Sequence, residues 1–129
     1  MLRITLRDGE KAIVNGAVIC ASGRVQLAIE NRVTVLRGRE IMKPEDAVTP
    51  ARKLYFATML AYIDPDGREA HQNVVIDLIS YLVATLSGAQ AHAACVRYAN
   101  DIGRGDFYRA LSAARELIAL EDGACAEAA

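Results

Sequence analysis

The sequence has little of what marks a disulfide-rich, metal-binding or membrane-spanning protein. It contains no Trp, and its three cysteines, at positions 20, 95 and 125, form no closely spaced pair. An odd number of distant cysteines argues against a disulfide framework and a zinc knuckle, so we expect free thiols and no metal site. The longest apolar stretch, residues 74–86, is interrupted by Asp77 and Ser80. It is too short for a membrane span, which needs about 20 residues, so we expect no membrane association.

Composition and the absence of catalytic motifs narrow the class of protein further. An apolar share of 53% over 129 residues excludes a disordered chain and allows one domain or two small units. No charged segment followed by an apolar segment opens the sequence, so we expect a cytoplasmic protein. The sequence shows no nucleophile–base arrangement, phosphate-binding glycine loop or metal cluster. We therefore expect no catalytic residues, no enzymatic activity and no cofactor.

The formal charge of −1 conceals an asymmetry between the two parts of the chain. Residues 1–53 hold ten basic and six acidic residues, whereas residues 54–129 hold five basic and ten acidic residues. A basic first part can attract a polyanion while the whole protein stays soluble near neutral pH. The alternative is that the charges simply solvate two surfaces, so the asymmetry suggests a polyanion partner without establishing one.

Residues 1–43 have the pattern of a small antiparallel β unit. Short β-branched segments separated by turns predict five strands, and Asn15-Gly16 is the strongest hairpin signal, because a type I′ turn needs positive φ at both central positions. We expect these strands to form a meander. Such a unit buries too little apolar area alone and exposes two edge strands, so we expect it to pack on helices, to form a homodimer through its edges, or both.

After Pro44 the apolar spacing becomes helical, and residues 47–122 predict about four helices. Thr49 is a suitable N-cap with Pro50 at the first helical position, and Asp106 is a suitable cap for the last helix. Residues 123–129 are expected to form a tail. The predicted fold class is therefore α+β, with an N-terminal five-stranded unit and a C-terminal helical unit.

Four arginines of the β unit are the candidate binding residues. Arg3 and Arg7 share strand parity, and Arg37 and Arg39 follow the fifth strand. The planar guanidinium group pairs well with phosphates and with the edges of unstacked bases, although a solvated basic face is the plain alternative. We predict RNA binding by Arg3, Arg7, Arg37 and Arg39, with long-range attraction from three auxiliary basic residues: Arg24, Arg32 and Lys43.

Several segments resemble the FlbT family of flagellar biosynthesis regulators. They are the opening Met1–Glu10, the run Ile13–Ile19, the block Thr49–Phe56 and the turn Tyr62–Pro65. The resemblance, which extends to about residue 120, implies a cytoplasmic post-transcriptional repressor. Such a protein associates with the 5′ untranslated region of flagellin mRNA and promotes its degradation. The resemblance also implies partnership with flagellin and the flagellar protein FlaF, and it leaves repression or activation open, because some members activate.

Residues 1–41 are more distantly similar to the carbon-storage regulator CsrA, whose members are strand-swapped dimers that bind GGA-containing RNA loops. By motif position, Arg7 falls on the basic residue that ends that family's first strand, and Arg37 on the arginine after its last strand. Leu6 stands where that family often has another arginine, and Gly38-Arg39 lengthens the closing segment. The similarity therefore implies RNA contacts through Arg7 and Arg37 and does not carry over GGA specificity.

A protein-interaction adaptor or export chaperone is the competing hypothesis. Its acidic helices with apolar faces, over residues 68–87 and 106–120, would hold flagellin or another flagellar protein, and any effect on RNA would be indirect. Both functions are compatible within one chain, with the β unit binding RNA and the helices binding a protein.

Overall fold

The computed structural model describes the backbone of residues 1–128 and the side chains of residues 1–124. The chain forms two compact units, Met1–Ile41 and a second one that begins at Met42. The first contains five strands and the second four helices, which confirms the α+β class. Over the described part of the chain, no helix combines the length and apolar character needed to cross a membrane.

The first unit contains two small antiparallel sheets. Its strands are β1 (Leu2–Leu6), β2 (Lys11–Val14), β3 (Ala17–Cys20), β4 (Val25–Ile29) and β5 (Val35–Arg37), and a 3₁₀ turn, Gly38–Glu40, follows. β1 pairs with β4, while β2 lies between β3 and β5. The five strands and their antiparallel pairing are confirmed, but the meander is wrong, since only β2 and β3 are both consecutive and paired. Two sheets can cover each other's apolar faces, which a single open meander cannot do.

The β2–β3 hairpin has the predicted turn. Asn15 and Gly16 have φ angles of 51° and 84°, both in the left-handed region that a type I′ turn requires. Asn tolerates this conformation better than most residues with a side chain, and Gly adopts it without steric cost. The local sequence therefore determines this turn.

The β1–β4 register separates an apolar face from a polar one. Ile4 lies opposite Leu27, and Leu6 lies opposite Val25. With Ala12 and Ala21, and the partly buried side chains packed around them, they form the core of the unit. Because side chains alternate along a strand, the intervening residues of β1 and β4 point to the opposite, solvent-exposed face.

The second unit is helical throughout. Its helices are α1 (Pro50–Ile63), α2 (Arg68–Thr85), α3 (Ala89–Gly103) and α4 (Phe107–Ala128), and a 3₁₀ turn, Pro44–Asp46, precedes them. α1 packs on α2 and α4, and α4 also packs on α3. Helix α4 continues to Ala128 where a tail from residue 123 was expected. The alanines and Glu127 of this segment favour helix strongly enough to accommodate Gly123, whose helical penalty is about 1 kcal/mol. Residue 129 lies outside the described residues.

The first turn of α1 satisfies its backbone donors completely. The Thr49 hydroxyl accepts a hydrogen bond from the Arg52 N–H at 3.3 Å, which confirms Thr49 as the N-cap. Pro50 has no N–H to satisfy, and the Ala51 N–H donates to Oε2 of Glu121 at 3.0 Å. Glu121 is 7% exposed, so a buried carboxylate from α4 lies at the positive end of α1, where it is stabilising.

Candidate nucleic-acid interface

The polar surface of the β1–β4 sheet carries most of the candidate residues of the first unit. The register places Thr5 opposite Gln26, and Arg7 and Arg24, which lie just beyond the two strands, line one open depression with Thr5. Arg3 lies further along β1 on the same side. All five side chains belong to exposed residues. We call this surface the basic face, and it consists of Arg3, Thr5, Arg7, Arg24 and Gln26.

Arg7 and Arg24 bring two like charges to one depression, and like charges repel. Among residues 1–124, no carboxylate lies within ion-pair distance of Arg3, Arg7 or Arg24. Asp8 is nearby and lines one open depression with Thr5, Arg7 and Arg24. Its Oδ1, however, accepts a hydrogen bond from the Gly23 N–H at 2.7 Å. That hydrogen bond leaves Asp8 charged, so the depression holds one carboxylate beside two arginines and keeps a net positive charge, which suits an anionic ligand.

Arg37 and Arg39, the other two predicted binding residues, lie on the second sheet. Arg37 ends β5 opposite Ala12 of β2, and Arg39 lies in the 3₁₀ turn that follows. Both residues are exposed. The structure therefore divides the four predicted arginines between two sheets, with Arg3 and Arg7 on one and Arg37 and Arg39 on the other.

Glu10 connects the ends of these two sheets. Its Oε1 accepts a hydrogen bond from the Arg7 N–H at 3.1 Å. Its Oε2 lies 3.4 Å from the position that a Cβ on Gly38 would occupy. Gly38 stands between Arg37 and Arg39, so one carboxylate spans the gap between the chain after β1 and the chain after β5. Arg7 and the Arg37–Arg39 segment therefore approach each other through Glu10.

The remaining auxiliary residues lie elsewhere. Arg32 is in the β4–β5 connection and lines a depression with Met1 and Leu2, near the start of β1 and away from Arg7. Lys43 is exposed and precedes the 3₁₀ turn in the second unit. Of the three auxiliary residues, only Arg24 belongs to the basic face.

Thr5 and Gln26 of the basic face were not predicted from the sequence, and Arg24 was expected to act only at long range. Alternation in the fourth strand shows that residues 24, 26 and 28 share a face. It does not show which strand lies beside them. Once β1 is known to pair with β4, the same alternation places Arg24 and Gln26 next to Arg7 and Thr5.

The other polar clusters have structural roles. Within the described residues, no group of three or more His, Cys, Asp and Glu side chains could hold a metal ion. Asp64 accepts from the Gly67 N–H at 3.2 Å, and its Oδ2 lies 3.0 Å from Nε2 of His71. The hydrogen bond with His71, followed by that from Gly67, lowers the pKa of Asp64. These contacts fix the turn between α1 and α2.

Comparison with known proteins places the chain among flagellar proteins. A family model described as "Flagellar protein FlbT" matches residues 2–125. The "Flagellum biosynthesis repressor protein FlbT" of Caulobacter vibrioides (strain ATCC 19089 / CIP 103742 / CB 15) is 31% identical over 122 residues, covering 94% of this chain and 86% of the relative. Proteins named "Probable flagellum biosynthesis repressor protein FlbT" from Agrobacterium fabrum and Allorhizobium ampelinum are 35% and 36% identical over 121 residues, each covering 94% of this chain and 81% of the relative. No solved structure gives a significant match.

Proposed function

We propose, from the premise that this chain belongs to the FlbT family of flagellar proteins, that it represses flagellum biosynthesis by binding the 5′ untranslated region of flagellin mRNA. The regulatory role follows the names of its relatives. Direct binding of the message, and the basic face as its binding surface, are the parts of the proposal that rest on the arrangement of the first unit.

The proximity of Arg7 and Arg24, which line one depression with Thr5, is the observation that carries the proposal. Neither guanidinium has a carboxylate partner among residues 1–124, and the Thr5–Gln26 pair lies directly beside them. Arginines supply phosphate contacts, while hydroxyl and amide groups can donate to and accept from base edges. Sequence-specific recognition of RNA mostly uses unstacked, single-stranded bases, which an open strand surface can accommodate.

Regulation by this route requires no catalytic activity of the protein. A protein that occupies the leader blocks ribosomes or, by changing the structure of the leader, exposes the message to nucleases. Repression is the outcome we propose.

A gel-shift titration of the full chain tests direct binding. The RNAs are a flagellin 5′ leader and a scrambled control of equal length, each measured at several salt concentrations. The test variant replaces Arg7 and Arg24 by alanine. The matched control replaces Arg104, an exposed arginine of the second unit, by alanine.

We expect the wild type and the Arg104→Ala variant to prefer the leader and to lose affinity steeply as salt rises. The double variant should bind more weakly, and its slope of log K against log salt should be smaller by about 1.4. That value corresponds to two phosphate contacts at about 0.7 each for a single strand. Equal binding of leader and scrambled RNA, or equal losses from Arg104→Ala and the double variant, would contradict direct recognition by the basic face.

The surface of α2 favours a second candidate function, an adaptor that holds flagellin or FlaF. Four of its large apolar residues, Val74, Ile76, Tyr81 and Val83, are about half exposed, at 49%, 57%, 53% and 57%. Val74 and Tyr81 lie on one flank of α2, and Ile76 and Val83 lie about half a turn away on the other. Exposed apolar patches often mark protein-binding surfaces. Residues 69–96 also contain no Lys or Arg, so a partner with basic residues around an apolar segment suits this helix.

Isothermal titration with purified flagellin, and separately with purified FlaF, tests the adaptor function. Substituting Ile76 and Val83, which share a flank of α2, by serine should weaken partner binding and leave the leader gel shift unchanged. The Arg7 and Arg24 double variant should show the reverse. If neither protein binds the wild type at micromolar concentration, the adaptor function is excluded for these partners.

A further inference from the structure

We infer that Glu10 and Glu40 are positioning residues of the RNA interface, which fix the backbone at Arg7 and Arg37 so that both guanidinium groups have a defined place. This inference rests on the proposed function. Acidic side chains inside a polyanion-binding surface oppose binding by long-range electrostatics, so their presence beside these arginines needs a physical explanation.

The two glutamates make the same contact at two strand ends. Arg7 is the first residue after β1, and its N–H donates to Oε1 of Glu10, three residues later, at 3.1 Å. Arg37 is the last residue of β5, and its N–H donates to Oε1 of Glu40, also three residues later, at 3.2 Å. In each case a carboxylate holds the backbone at the point where the regular ladder of the strand ends.

At Arg7 the contact closes a ring. The Glu10 N–H donates to the Arg7 carbonyl at 3.0 Å, while the Glu10 side chain accepts from the Arg7 N–H. The Glu10 carbonyl in turn accepts from the Ala21 N–H at 3.0 Å. Arg7 is therefore tied, through Glu10, to the chain that follows β3. Oε2 of Glu10 also lies 3.4 Å from the position that a Cβ on Gly38 would occupy, so the same carboxylate lies near the Arg37–Arg39 segment.

This geometry separates the reach of the side chain from its charge. Glutamine has the length of glutamate and keeps an oxygen that can accept from the Arg7 N–H, but it carries no charge. Aspartate keeps the charge but is one methylene shorter, so its carboxylate does not reach the Arg7 N–H from position 10. If Glu10 positions Arg7, the affinity for RNA depends on the length of the side chain at position 10. If Glu10 acts only through its charge, the affinity depends on that charge and not on the length.

The experiment measures the affinity of full-length variants for the flagellin leader. We expect Glu10→Asp to bind about tenfold more weakly than the wild type, equivalent to about 1.4 kcal/mol. Glu10→Gln should bind at least as tightly as the wild type. At position 40 we expect the same ranking of affinities, with Glu40→Asp weaker than the wild type and Glu40→Gln at least as tight. The matched control is Glu30, an exposed residue with no hydrogen bond or ion pair among residues 1–124, where the Asp variant should bind like the wild type.

A double-mutant cycle tests whether Glu10 acts through Arg7. In the Arg7→Ala background, Glu10→Asp should cause no further loss of affinity, because the group that it positions is gone. Far-UV circular dichroism of each variant establishes that it is folded, and the Glu40 pair provides the same comparison if Glu10→Asp does not fold.

The outcomes distinguish this inference from the proposed function. If the wild type binds no leader, the proposed function and this inference fail together. If the wild type binds and the folded aspartate variants bind equally well, the inference alone is overturned. Equal losses from Glu10→Asp with and without Arg7 would overturn the coupling between the two residues. Weaker binding of the aspartate variants, together with undiminished binding of the glutamine variants, establishes the positioning role.

Discussion

The buried hydrogen bond between Thr58 of α1 and Tyr98 of α3 gives a sharp prediction about stability. Both residues are fully buried, and their hydroxyl oxygens lie 2.6 Å apart. The direction of this bond follows from a second one. The Thr58 hydroxyl lies 2.7 Å from the Leu54 carbonyl oxygen, which can only accept. Thr58 therefore donates its one proton to Leu54, and the Tyr98 hydroxyl must be the donor to Thr58.

Because Tyr98 donates to Thr58, substituting one residue or the other should lower the free energy of unfolding by different amounts. Tyr98→Phe removes a donor and leaves Thr58 with its bond to Leu54 intact, so it should lower the free energy of unfolding by about 1 kcal/mol. Thr58→Val conserves shape but leaves the Tyr98 hydroxyl buried without an acceptor. It should cost about 2–3 kcal/mol, since an unsatisfied buried donor adds its desolvation penalty to the lost bond. Burial also raises the pKa of Tyr98, against the opposing effect of its bond with Thr58, so ionisation provides no relief.

Urea unfolding followed by circular dichroism at 222 nm reports on the helical unit and measures these differences. The double variant, which combines Thr58→Val with Tyr98→Phe and so removes both hydroxyls, should be more stable than Thr58→Val alone, because no unpaired hydroxyl remains. The assigned direction is refuted if Tyr98→Phe costs as much as Thr58→Val, or if the two losses add in the double variant.

Three further predictions concern the turn after α1, the start of α1 and the oligomeric state. The pKa of Asp64 is lowered by its hydrogen bonds with His71 and Gly67, so its contribution to stability is present above the unfolded-state pKa, near 4, and is lost as the pH falls through the folded-state pKa. Asp64→Asn should therefore flatten the acid side of a plot of melting temperature against pH, and an unchanged acid side contradicts this. Glu121→Ala should lower the free energy of unfolding by about 2 kcal/mol, because it removes the buried acceptor of the Ala51 N–H. Glu121→Gln should lower it by about half as much, because the amide oxygen can still accept that hydrogen bond. Urea unfolding measures both values, and a glutamine variant less stable than the alanine variant contradicts this prediction. We also propose a homodimer formed through the β unit, because β1 and β4 are paired on one side only within the described chain. Light scattering should then give twice the 13.9 kDa mass of one chain. A monomer mass at micromolar concentration would exclude this dimer.

Local features of the fold were predictable from the sequence, because a few neighbouring residues determine them. Asn15-Gly16 forms its turn, Thr49 caps α1, and the Asp106 side chain accepts from the Arg109 N–H at 3.0 Å at the start of α4. Strand pairing was not predictable in the same way. Alternation shows which residues of a strand share a face, but the partner strand is chosen by packing between sheets, which depends on the whole unit.

The candidate site was only partly predictable for the same reason. Parity predicts that Arg3 and Arg7 share a side of the first strand, and the structure places Arg3 in β1 and Arg7 directly after it, whereas the place of Arg24 depends on the β1–β4 pairing. The two glutamates at positions 10 and 40 gave no sequence-level indication of a binding role, because opposite charge near a basic cluster suggests neutralisation. Their hydrogen bonds to backbone N–H groups become visible only in the folded chain.

Two of the segments that carry the family resemblance do different physical work: Met1–Glu10 contains Arg3 and Arg7 of the basic face, whereas Thr49–Phe56 begins α1. In that second block, Thr49 caps α1 and Pro50 suits its first turn. The Ala51 N–H donates to Glu121, and Arg52 pairs with Asp122 through two 2.8 Å bonds, so these contacts join α1 to α4. Packing thus explains that block without reference to RNA. The arginines of the basic face are exposed and form no ion pair among residues 1–124. If the basic face binds RNA as proposed, loss of these arginines should impair binding without unfolding the chain, because none of them is part of the core.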